Sequence, residues 1–362
     1  AQAISGRERR SEPMPEPACC CLQWDTCAAA DVPAEALQRE VYGHSATVAG
    51  RTVWVLGGIH SRRSSLLPVY ALDLDERRWA DLTQPDGLGL GGHRAGPCRR
   101  WGHSACLVGA PAGAAGGPLE GQAVLVCGGF DSECNHDDAW LLDVPSAAFR
   151  RPSRAQRHVP VHGAYHSLVW DASRQEALLF GGQCCVGGPY TFFDEVYVAA
   201  PGSAAAGWGL LAPRGPRPQA RAQHVAVVAG GAMLVYGGAG ERRGYNDVWA
   251  LALDGGARGW AQFPASGPAP CVDARLRPRD FRVTSCRGFA CARGRRLLVL
   301  GRDEEMRMGL YVFDLATGRW HAVPAAAAPA WRGNFAAWLD DGGEGAAGGP
   351  NLMVFGGHGQ PG

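Results

Sequence analysis

The feature that most constrains this chain is one short strand-like segment that the sequence repeats six times. Each copy is an apolar run rich in Val, Leu and aromatic residues that leads into glycine. The copies are Thr52–Gly58, Ala123–Gly129, Ala177–Gly182, Met233–Gly238, Leu297–Arg302 and Leu352–Gly357. A wholly apolar run is typical of a strand buried on both faces, and glycine permits a tight turn after it. Six such strands at long intervals predict a repeat architecture.

Three further elements recur around each copy in the same order. A strand of small residues comes first, headed by an aromatic residue, His and often Ser, as in Tyr42–Ser45. After the buried strand come an apolar strand with a central aromatic residue, such as Val69–Leu74, and a Trp beyond a turn, such as Trp79. The fifth repeat lacks the His and the second glycine, the second has Phe149 in place of Trp, and the sixth supplies only two strands.

This four-part order, with its glycine pairs and spaced Tyr and Trp residues, resembles the kelch repeat family over about residues 22–360. The resemblance implies an all-β, six-bladed β-propeller of four-stranded antiparallel sheets. The expected blades are residues 42–84, 99–150, 163–211, 220–263, 282–323 and 331–362. A lone N-terminal strand, residues 22–28 with Trp24, is predicted to complete the last blade and close the ring. We expect residues 1–21 to form a disordered or partial N-terminal segment.

Composition argues against several classes of partner. The net charge of +1 provides no long-range field for nucleic acid or an anionic membrane. No apolar run approaches the length of about 18 residues that a membrane span needs, so we predict no membrane partner. The 13 cysteines are odd in number and lack CxxC spacing. We therefore expect free thiols and a cytoplasmic or nuclear location.

Two sets of residues invite a metal interpretation. Histidines that open the first strand of four repeats could converge on an axial metal: His44, His103, His166 and His224. No carboxylate repeats beside them, so we interpret them as hydrogen-bonding groups that lock neighbouring loops. The polar stretch Asp131–Asp138 could bind a cation, but an ordinary solvated loop explains its composition better. We therefore predict no metal, no cofactor and no catalytic residue.

Antiparallel strands place the loop after each glycine pair and the loop before each first strand on the same face of the disc. All 35 basic residues are Arg, and many fall in these loops. Arginine binds carboxylates and phosphates bidentately, and aromatic residues supply hydrophobic anchors. The predicted partner-binding residues are Arg62, Arg63, Arg100, Arg221, Arg242, Arg243, Arg302, Arg332, Tyr190 and Phe192. The alternative is a solvated rim whose arginines bind backbone carbonyls.

These features favour a non-enzymatic module that binds a partner protein, or an acidic or phosphorylated peptide, through one loop face. The resemblance implies a substrate-recruiting adaptor of the F-box or ubiquitin-ligase type, or a scaffold. Some kelch-type propellers are enzymes. The alternatives are therefore a sugar epimerase, a metal-dependent lyase, or a kelch module of a larger enzyme.

Overall fold

A computed structural model describes most of the chain between residues 22 and 359. The described residues are 22–23, 42–59, 65–84, 96–109, 121–153, 155–160, 163–184, 190–201, 207–254, 258–271, 290–293, 295–326, 328–340 and 351–359. All regular elements among them are β-strands. No helix in this described part is long and apolar enough to cross a bilayer.

The strands follow the order that the repeats predict. The first fourteen are β1 (Leu22–Gln23), β2 (Ser45–Ala49), β3 (Thr52–Leu56), β4 (Val69–Asp73), β5 (Arg78–Asp81), β6 (Ser104–Val108), β7 (Ala123–Cys127), β8 (Ala139–Asp143), β9 (Phe149–Arg150), β10 (Ser167–Asp171), β11 (Glu176–Phe180), β12 (Gln183–Cys184), β13 (Thr191–Phe192) and β14 (Val196–Ala199). The others are β15 (Gly209–Leu211), β16 (Val225–Ala229), β17 (Ala232–Tyr236), β18 (Val248–Ala252), β19 (Trp260–Phe263), β20 (Ala290–Arg293), β21 (Arg296–Arg302), β22 (Met308–Asp314), β23 (Arg319–Ala322), β24 (Ala325–Ala326), β25 (Arg332–Gly333), β26 (Ala336–Asp340), β27 (Asn351–Phe355) and β28 (His358–Gly359).

Five sheets contain four antiparallel strands each, and each sheet comes from one sequence repeat. In chain order these blades are β2–β5, β6–β9, β10–β11–β14–β15, β16–β19 and β20–β23. The described part of the sixth blade is the pair β26–β27. First strands of successive blades lie side by side, and β26 lies beside β2. The predicted all-β propeller is confirmed, with five complete blades and a sixth sheet of two described strands.

A repeated aromatic contact joins neighbouring blades. At three junctions, the Trp of the fourth strand packs on the aromatic residue that ends the second strand of the preceding blade. The ring centroids are 4.7 Å apart for Tyr236 and Trp320, and 5.2 Å apart for Phe180 and Trp260. The second blade has Phe149 at this position, and its ring packs beside the cluster that contains Leu56 of the first blade. The repeated Trp residues therefore stabilise contacts between blades.

The ring closes through the same kind of contact. Phe355 at the end of β27 lies 4.9 Å from Trp79 of the first blade, centroid to centroid. The expected closing residue, Trp24, lies outside the described residues. The two described residues before it, β1, pair in parallel with β24 on the link between the fifth and sixth blades, and not with β27. Residues 22–23 of the predicted closing strand thus pair with this link, and residues 24–28 lie outside the described residues.

A series of backbone hydrogen bonds connects the starts of the first strands of the described blades from the sixth through the first to the fourth. The N–H of Gly43 donates to the carbonyl of Asn334 at 3.0 Å, and Gly102 donates to Gly43 at 2.8 Å. Tyr165 donates to Gly102 at 2.6 Å, and Gln223 donates to Tyr165 at 2.9 Å. All five residues have positive φ, between 57° and 73°. This left-handed conformation costs energy for the three residues that are not glycine, and the inter-blade bonds offset that cost.

Candidate functional site

The repeated histidines belong to the scaffold. Three of them form a side-chain hydrogen bond with the serine that opens the first strand of the preceding blade. The pairs are Ser45 Oγ with His103 Nε2 at 2.9 Å, Ser104 Oγ with His166 Nδ1 at 2.6 Å, and Ser167 Oγ with His224 Nε2 at 2.9 Å. These three histidines form hydrogen bonds, as predicted, and the bonds join the first strand of one blade to the next blade, where neighbouring loops were predicted.

The fourth histidine, His44, also contacts the preceding blade, but its partner differs. Its preceding blade is the sixth, where Ala336 stands at the position that serine occupies in the first three blades. The ring of His44 packs edge-on against Phe355, with centroids 5.5 Å apart, just as the ring of His224 packs against Phe180 at 5.0 Å. With alanine in place of serine, the sixth repeat keeps the ring contact at this junction and has no serine hydroxyl for the histidine.

Arg221 was predicted to face a partner, but it is fully buried. Its Nη1 and Nη2 donate to the two carboxylate oxygens of Asp247 at 2.6 and 3.0 Å. Nη1 also donates to the carbonyl of Gly237, and Nε donates to the carbonyl of Gln219. The indole N–H of Trp249 donates to the same carboxylate at 2.7 Å. The guanidinium therefore holds two loops of the fourth blade together and is not available to a partner.

Arg100 repeats this arrangement in the second blade and is also fully buried. Its guanidinium pairs with both oxygens of Asp138, which also accepts the indole N–H of Trp140. Nη1 donates to the carbonyl of Gly128 at 3.1 Å. Arg100, like Arg221, is thus corrected from a docking residue to a structural one. A buried guanidinium is stable only when its donors are satisfied by a carboxylate and carbonyls.

These ion pairs make stability depend on pH. Burial raises the pKa of Asp247, but the hydrogen bond and positive charge of Arg221, with the Trp249 N–H, outweigh it and hold this pKa below its usual value. A pKa that is depressed in the folded state contributes stability above the unfolded value of about 3.9. That contribution is lost as the pH falls through the folded pKa.

We therefore expect the difference in unfolding free energy between wild type and Asp247→Asn to be largest near neutral pH. The difference should shrink as the pH falls below about 4, because the wild-type carboxylate then becomes neutral as well. Urea unfolding at a series of pH values measures it. A difference that stays constant down to the lowest pH would contradict the assignment.

The other predicted arginines differ in exposure. Arg302 is buried, with 6% of its surface exposed, and its Nη1 lies 3.0 Å from Met306 Sδ. Arg302 stands where the other repeats have the second glycine, and its side chain is enclosed by its own loop. It is therefore no longer a candidate for contact with a partner. Arg332 is exposed, and its Nη1 lies 3.4 Å from the carbonyl oxygen of Gly356. Arg62 and Arg63 lie outside the described residues.

The four remaining predicted residues line one groove between the third and fourth blades. The groove has a volume of about 660 Å³, and three loops of the predicted face meet in it. Its lining residues are Tyr190, Thr191, Phe192, Gln219, Ala220, Glu241, Arg242, Arg243 and Tyr245. The structure therefore brings together two arginines and two aromatic residues that are about fifty positions apart in sequence.

The arginine side of the groove is a tight hairpin after the fourth glycine pair. The N–H of Gly240 donates to the carbonyl of Arg243 at 3.0 Å, which leaves Arg242 exposed at the tip. Arg243 Nη2 donates to Gln219 Oε1 at 3.3 Å, and its guanidinium lies 5.3 Å from the ring centroid of Tyr245. Arg243 is thus oriented by its neighbours, whereas Arg242 has no ion pair with another described residue.

The aromatic side of the groove is the short hairpin β12–β13. Tyr190 precedes β13 and is 39% exposed, one of only two exposed large hydrophobic residues in the described part of the chain. Phe192 is half-buried and packs against a small apolar cluster that contains Tyr165 and Ala222. Phe192 therefore anchors the hairpin, and Tyr190 presents its ring to solvent.

Sequence reasoning missed Gln219 and Tyr245, which position the groove arginines. The guanidinium of the buried Arg221 lies 4.2 Å from the ring centroid of Tyr245, and the guanidinium of Arg243 lies 5.3 Å from it. A signal was present, because residues 243 and 245 are two apart in an extended segment and project to the same side. Gln219 gave no such signal, since its role depends on a contact across 24 residues.

A second hollow of about 520 Å³ lies between the fourth and fifth blades, around Pro264–Gly267. Asp247 is the one charged residue among its described lining residues, and its carboxylate is already paired with Arg221. This hollow offers a ligand no uncommitted charge, so the arginine groove is the better candidate site.

A third cluster has the composition of a metal site. Asp131, Cys134 and His136 follow the glycine pair of the second blade, and one ligand atom from each lies within 4.8 Å of the other two. Burial lowers the pKa of His136, which favours the neutral imidazole.

Elsewhere in the blade, Cys127 is fully buried, and burial raises its pKa, so it acts as an inert apolar residue.

Comparison with known proteins agrees with this architecture. A family model described as the KLHDC2/KLHL20/DRC7 Kelch-repeats domain matches residues 118–357. The chain belongs to the kelch-repeat family. The matched region runs from β7 to just beyond β27, so the kelch repeats include both sides of the groove.

Relatives with curated names carry the same domain. Kelch domain-containing protein 3 of Rattus norvegicus is 24% identical over 248 residues, which is 65% of this chain and 56% of that protein. The protein of that name from Homo sapiens is 24% identical over 247 residues, with the same coverage. The kelch chain thus matches little more than half the length of these relatives. Kelch repeats of this type are generally non-enzymatic protein-interaction modules.

Proposed function

We propose that this kelch propeller is a non-enzymatic recognition module that binds an acidic or phosphorylated peptide segment of a partner protein. The binding site is the groove between the third and fourth blades. The observation that carries the proposal is the meeting of exposed Tyr190 with Arg242 and Arg243 in that one groove. These residues combine a hydrophobic anchor with two cationic groups.

The groove has suitable dimensions for a few residues of an extended chain. Ligand pockets in proteins typically have volumes of about 300–1,000 Å³, and the groove has about 660 Å³. Arg242 at the hairpin tip and Arg243 beside it can donate paired N–H groups to a carboxylate or phosphate. Tyr190 supplies a rigid aromatic surface at low conformational cost, as binding hot spots usually do.

Charge favours an anionic ligand over a neutral one. The described lining residues of the groove include one acidic residue, Glu241, and two arginines, Arg242 and Arg243. Arg217 lies near the groove on the loop that also carries Gln219, but it is paired with Asp194 at 3.1 Å. The local excess of positive charge therefore comes from the hairpin arginines.

We expect Arg242→Glu combined with Arg243→Glu to weaken binding of acidic and phosphoserine peptides by at least about tenfold. The reason is that each charged hydrogen bond contributes on the order of 1.5–3 kcal/mol. Fluorescence polarisation with labelled acidic, phosphorylated and neutral peptides of equal length measures the effect. Tyr190→Ala should weaken all groove-binding peptides without changing the preference for charge.

The matched control is Arg319→Glu, an exposed arginine at the start of β23 in the fifth blade that is not among the lining residues of the groove. It should bind the same peptides as wild type does. Equal binding of neutral and acidic peptides by wild type, or unchanged binding by the double arginine variant, would contradict the proposal.

We further propose that the module works within a larger assembly, as a substrate-recruiting adaptor of the ubiquitin-ligase type or as a scaffold. Family membership supports this role. Reconstitution with a ubiquitin-ligase core and a groove-binding peptide fused to a reporter tests it. Peptide-dependent ubiquitin transfer is expected for an adaptor, and peptide binding without transfer would favour a scaffold.

We also propose that the protein acts in the cytoplasm or the nucleus. The six cysteines whose side chains are described are all free thiols: Cys98, Cys106, Cys127, Cys134, Cys184 and Cys271. Free thiols of this number are typical of a reducing compartment.

A further inference from the structure

We propose that the loop between β7 and β8 carries a divalent-metal site made by Asp131, Cys134 and His136, and that its metal is Zn²⁺. From sequence, an ordinary solvated loop was the better interpretation of this stretch. The structure folds the loop so that His136 Nε2 lies 3.1 Å from Asp131 Oδ2. Cys134 Sγ lies 3.9 Å from His136 Nδ1. All three ligand atoms are within 4.8 Å of one another.

These separations are close to those of a metal-bound set. Tetrahedral zinc bonds of about 2.0–2.3 Å place neighbouring ligand atoms roughly 3.3–3.8 Å apart. The distance from Asp131 Oδ2 to His136 Nε2 is already slightly shorter than that. The 3.9 Å contact of Cys134 Sγ is to the other ring nitrogen, Nδ1, and one ion binds only one of the two nitrogens. Cys134 is exposed, so rotation of its side chain can bring Sγ into position. One ligand atom from each residue lies within 4.8 Å of the other two, so these separations exceed those of a bound set by at most about 1 Å.

The loop backbone orients the ligands. Asp131 Oδ1 accepts the N–H groups of Glu133 and Cys134 at 2.7 and 2.8 Å, which leaves Oδ2 directed toward His136. The N–H of Asp131 donates to the carbonyl of Cys134 at 3.0 Å, and the N–H of His136 donates to the carbonyl of Gly129 at 2.8 Å. Both ends of the ligand set are thus fixed to the blade, which lowers the entropy lost on binding.

The donor set selects the class of metal. Calcium and magnesium prefer oxygen ligands alone, whereas a thiolate, an imidazole and a carboxylate together suit zinc. Three protein ligands leave the fourth position of the tetrahedron for water or for a group from a partner. The thiol must lose its proton to bind, so affinity should rise by about tenfold per pH unit while the thiol is protonated.

Co²⁺ titration of the purified, reduced protein tests the site, because thiolate-bound Co²⁺ gives a charge-transfer absorption band. We expect one saturable Co²⁺ with this band, which Zn²⁺ displaces. Cys134→Ser should abolish the band. His136→Gln and Asp131→Asn should each weaken Co²⁺ binding by more than about tenfold. Asp131→Asn keeps the oxygen that accepts the two loop N–H groups, so the fold of the loop is retained.

The matched control is His158→Gln. His158 and Asp137 lie in the same blade with Nδ1 and Oδ2 3.3 Å apart, but both are exposed and no described thiol completes a three-ligand group with them. This variant should bind Co²⁺ as wild type does. An unchanged band in Cys134→Ser would show that another of the 13 cysteines binds the ion and would overturn the proposal. The absence of saturable binding by wild type would overturn it as well.

Discussion

Replacing Arg221 by Met is expected to lower the free energy of unfolding by about 3–5 kcal/mol, because it leaves a mostly buried carboxylate without its partner. The guanidinium of Arg221 is fully buried, and it also satisfies the carbonyls of Gly237 and Gln219. Removing it leaves the Asp247 carboxylate and the two carbonyls without their hydrogen-bond donor. Equilibrium urea unfolding measures the change.

The control for this prediction is Arg242→Met, which removes an exposed arginine from the same blade. Its effect should stay within about 0.5 kcal/mol. The double variant Arg221→Met with Asp247→Leu should regain part of the lost stability, because no uncompensated charge is then left behind. A loss below about 1 kcal/mol in the single variant would contradict the structural role that burial assigns to Arg221.

Trp79→Ala should destabilise the propeller by about 3–5 kcal/mol, the usual cost of truncating a buried aromatic residue. Trp79 is 8% exposed and packs on Phe355, so it joins the first blade to the sixth. Loss of this contact removes one of the interactions between these two blades and leaves a cavity, while the Gly43–Asn334 bond and the His44 contact with the sixth blade are not touched. Unfolding monitored by circular dichroism in urea gives the magnitude.

A double-mutant cycle with Phe355→Ala isolates the closing contact. We expect a coupling energy of about 0.5–1.5 kcal/mol, which is typical of an aromatic pair. Leu210→Ala, at a side chain that is 62% exposed, is the control and should change stability by less than about 0.5 kcal/mol. A coupling energy of zero would mean that the two rings do not close the propeller.

Taken together, the buried arginines and the groove arginines show two uses of one residue type on one face. Arg100 and Arg221 come just before the first strand of a blade and are drawn inward by an Asp from the loop of the same blade. Arg242 and Arg243 lie at the tip of a hairpin, where no described carboxylate pairs with them. The proposed docking surface is therefore smaller and more local than the whole arginine-rich face that the sequence predicts, because Arg100 and Arg221 are buried.

Local sequence was sufficient for the repeated elements. An apolar run that is buried on both faces, a glycine pair with positive φ and a strand headed by His and Ser are each set by near neighbours. The hydrogen bonds of His103, His166 and His224 followed from that register. The partners of β1 and Phe355 did not, because β1 pairs with β24 and Phe355 contacts Trp79 between distant parts of the chain.

By itself, the sequence determined the blades: strand order, turn positions and the residues that face each neighbouring sheet, because these depend on periodicity and backbone conformation. Only the tertiary structure decided which arginines are buried, which four predicted residues share a groove, and that Asp131, Cys134 and His136 converge. The physical reason is that accessibility and convergence depend on what other loops place around a side chain. Local periodicity contains no information about those distances.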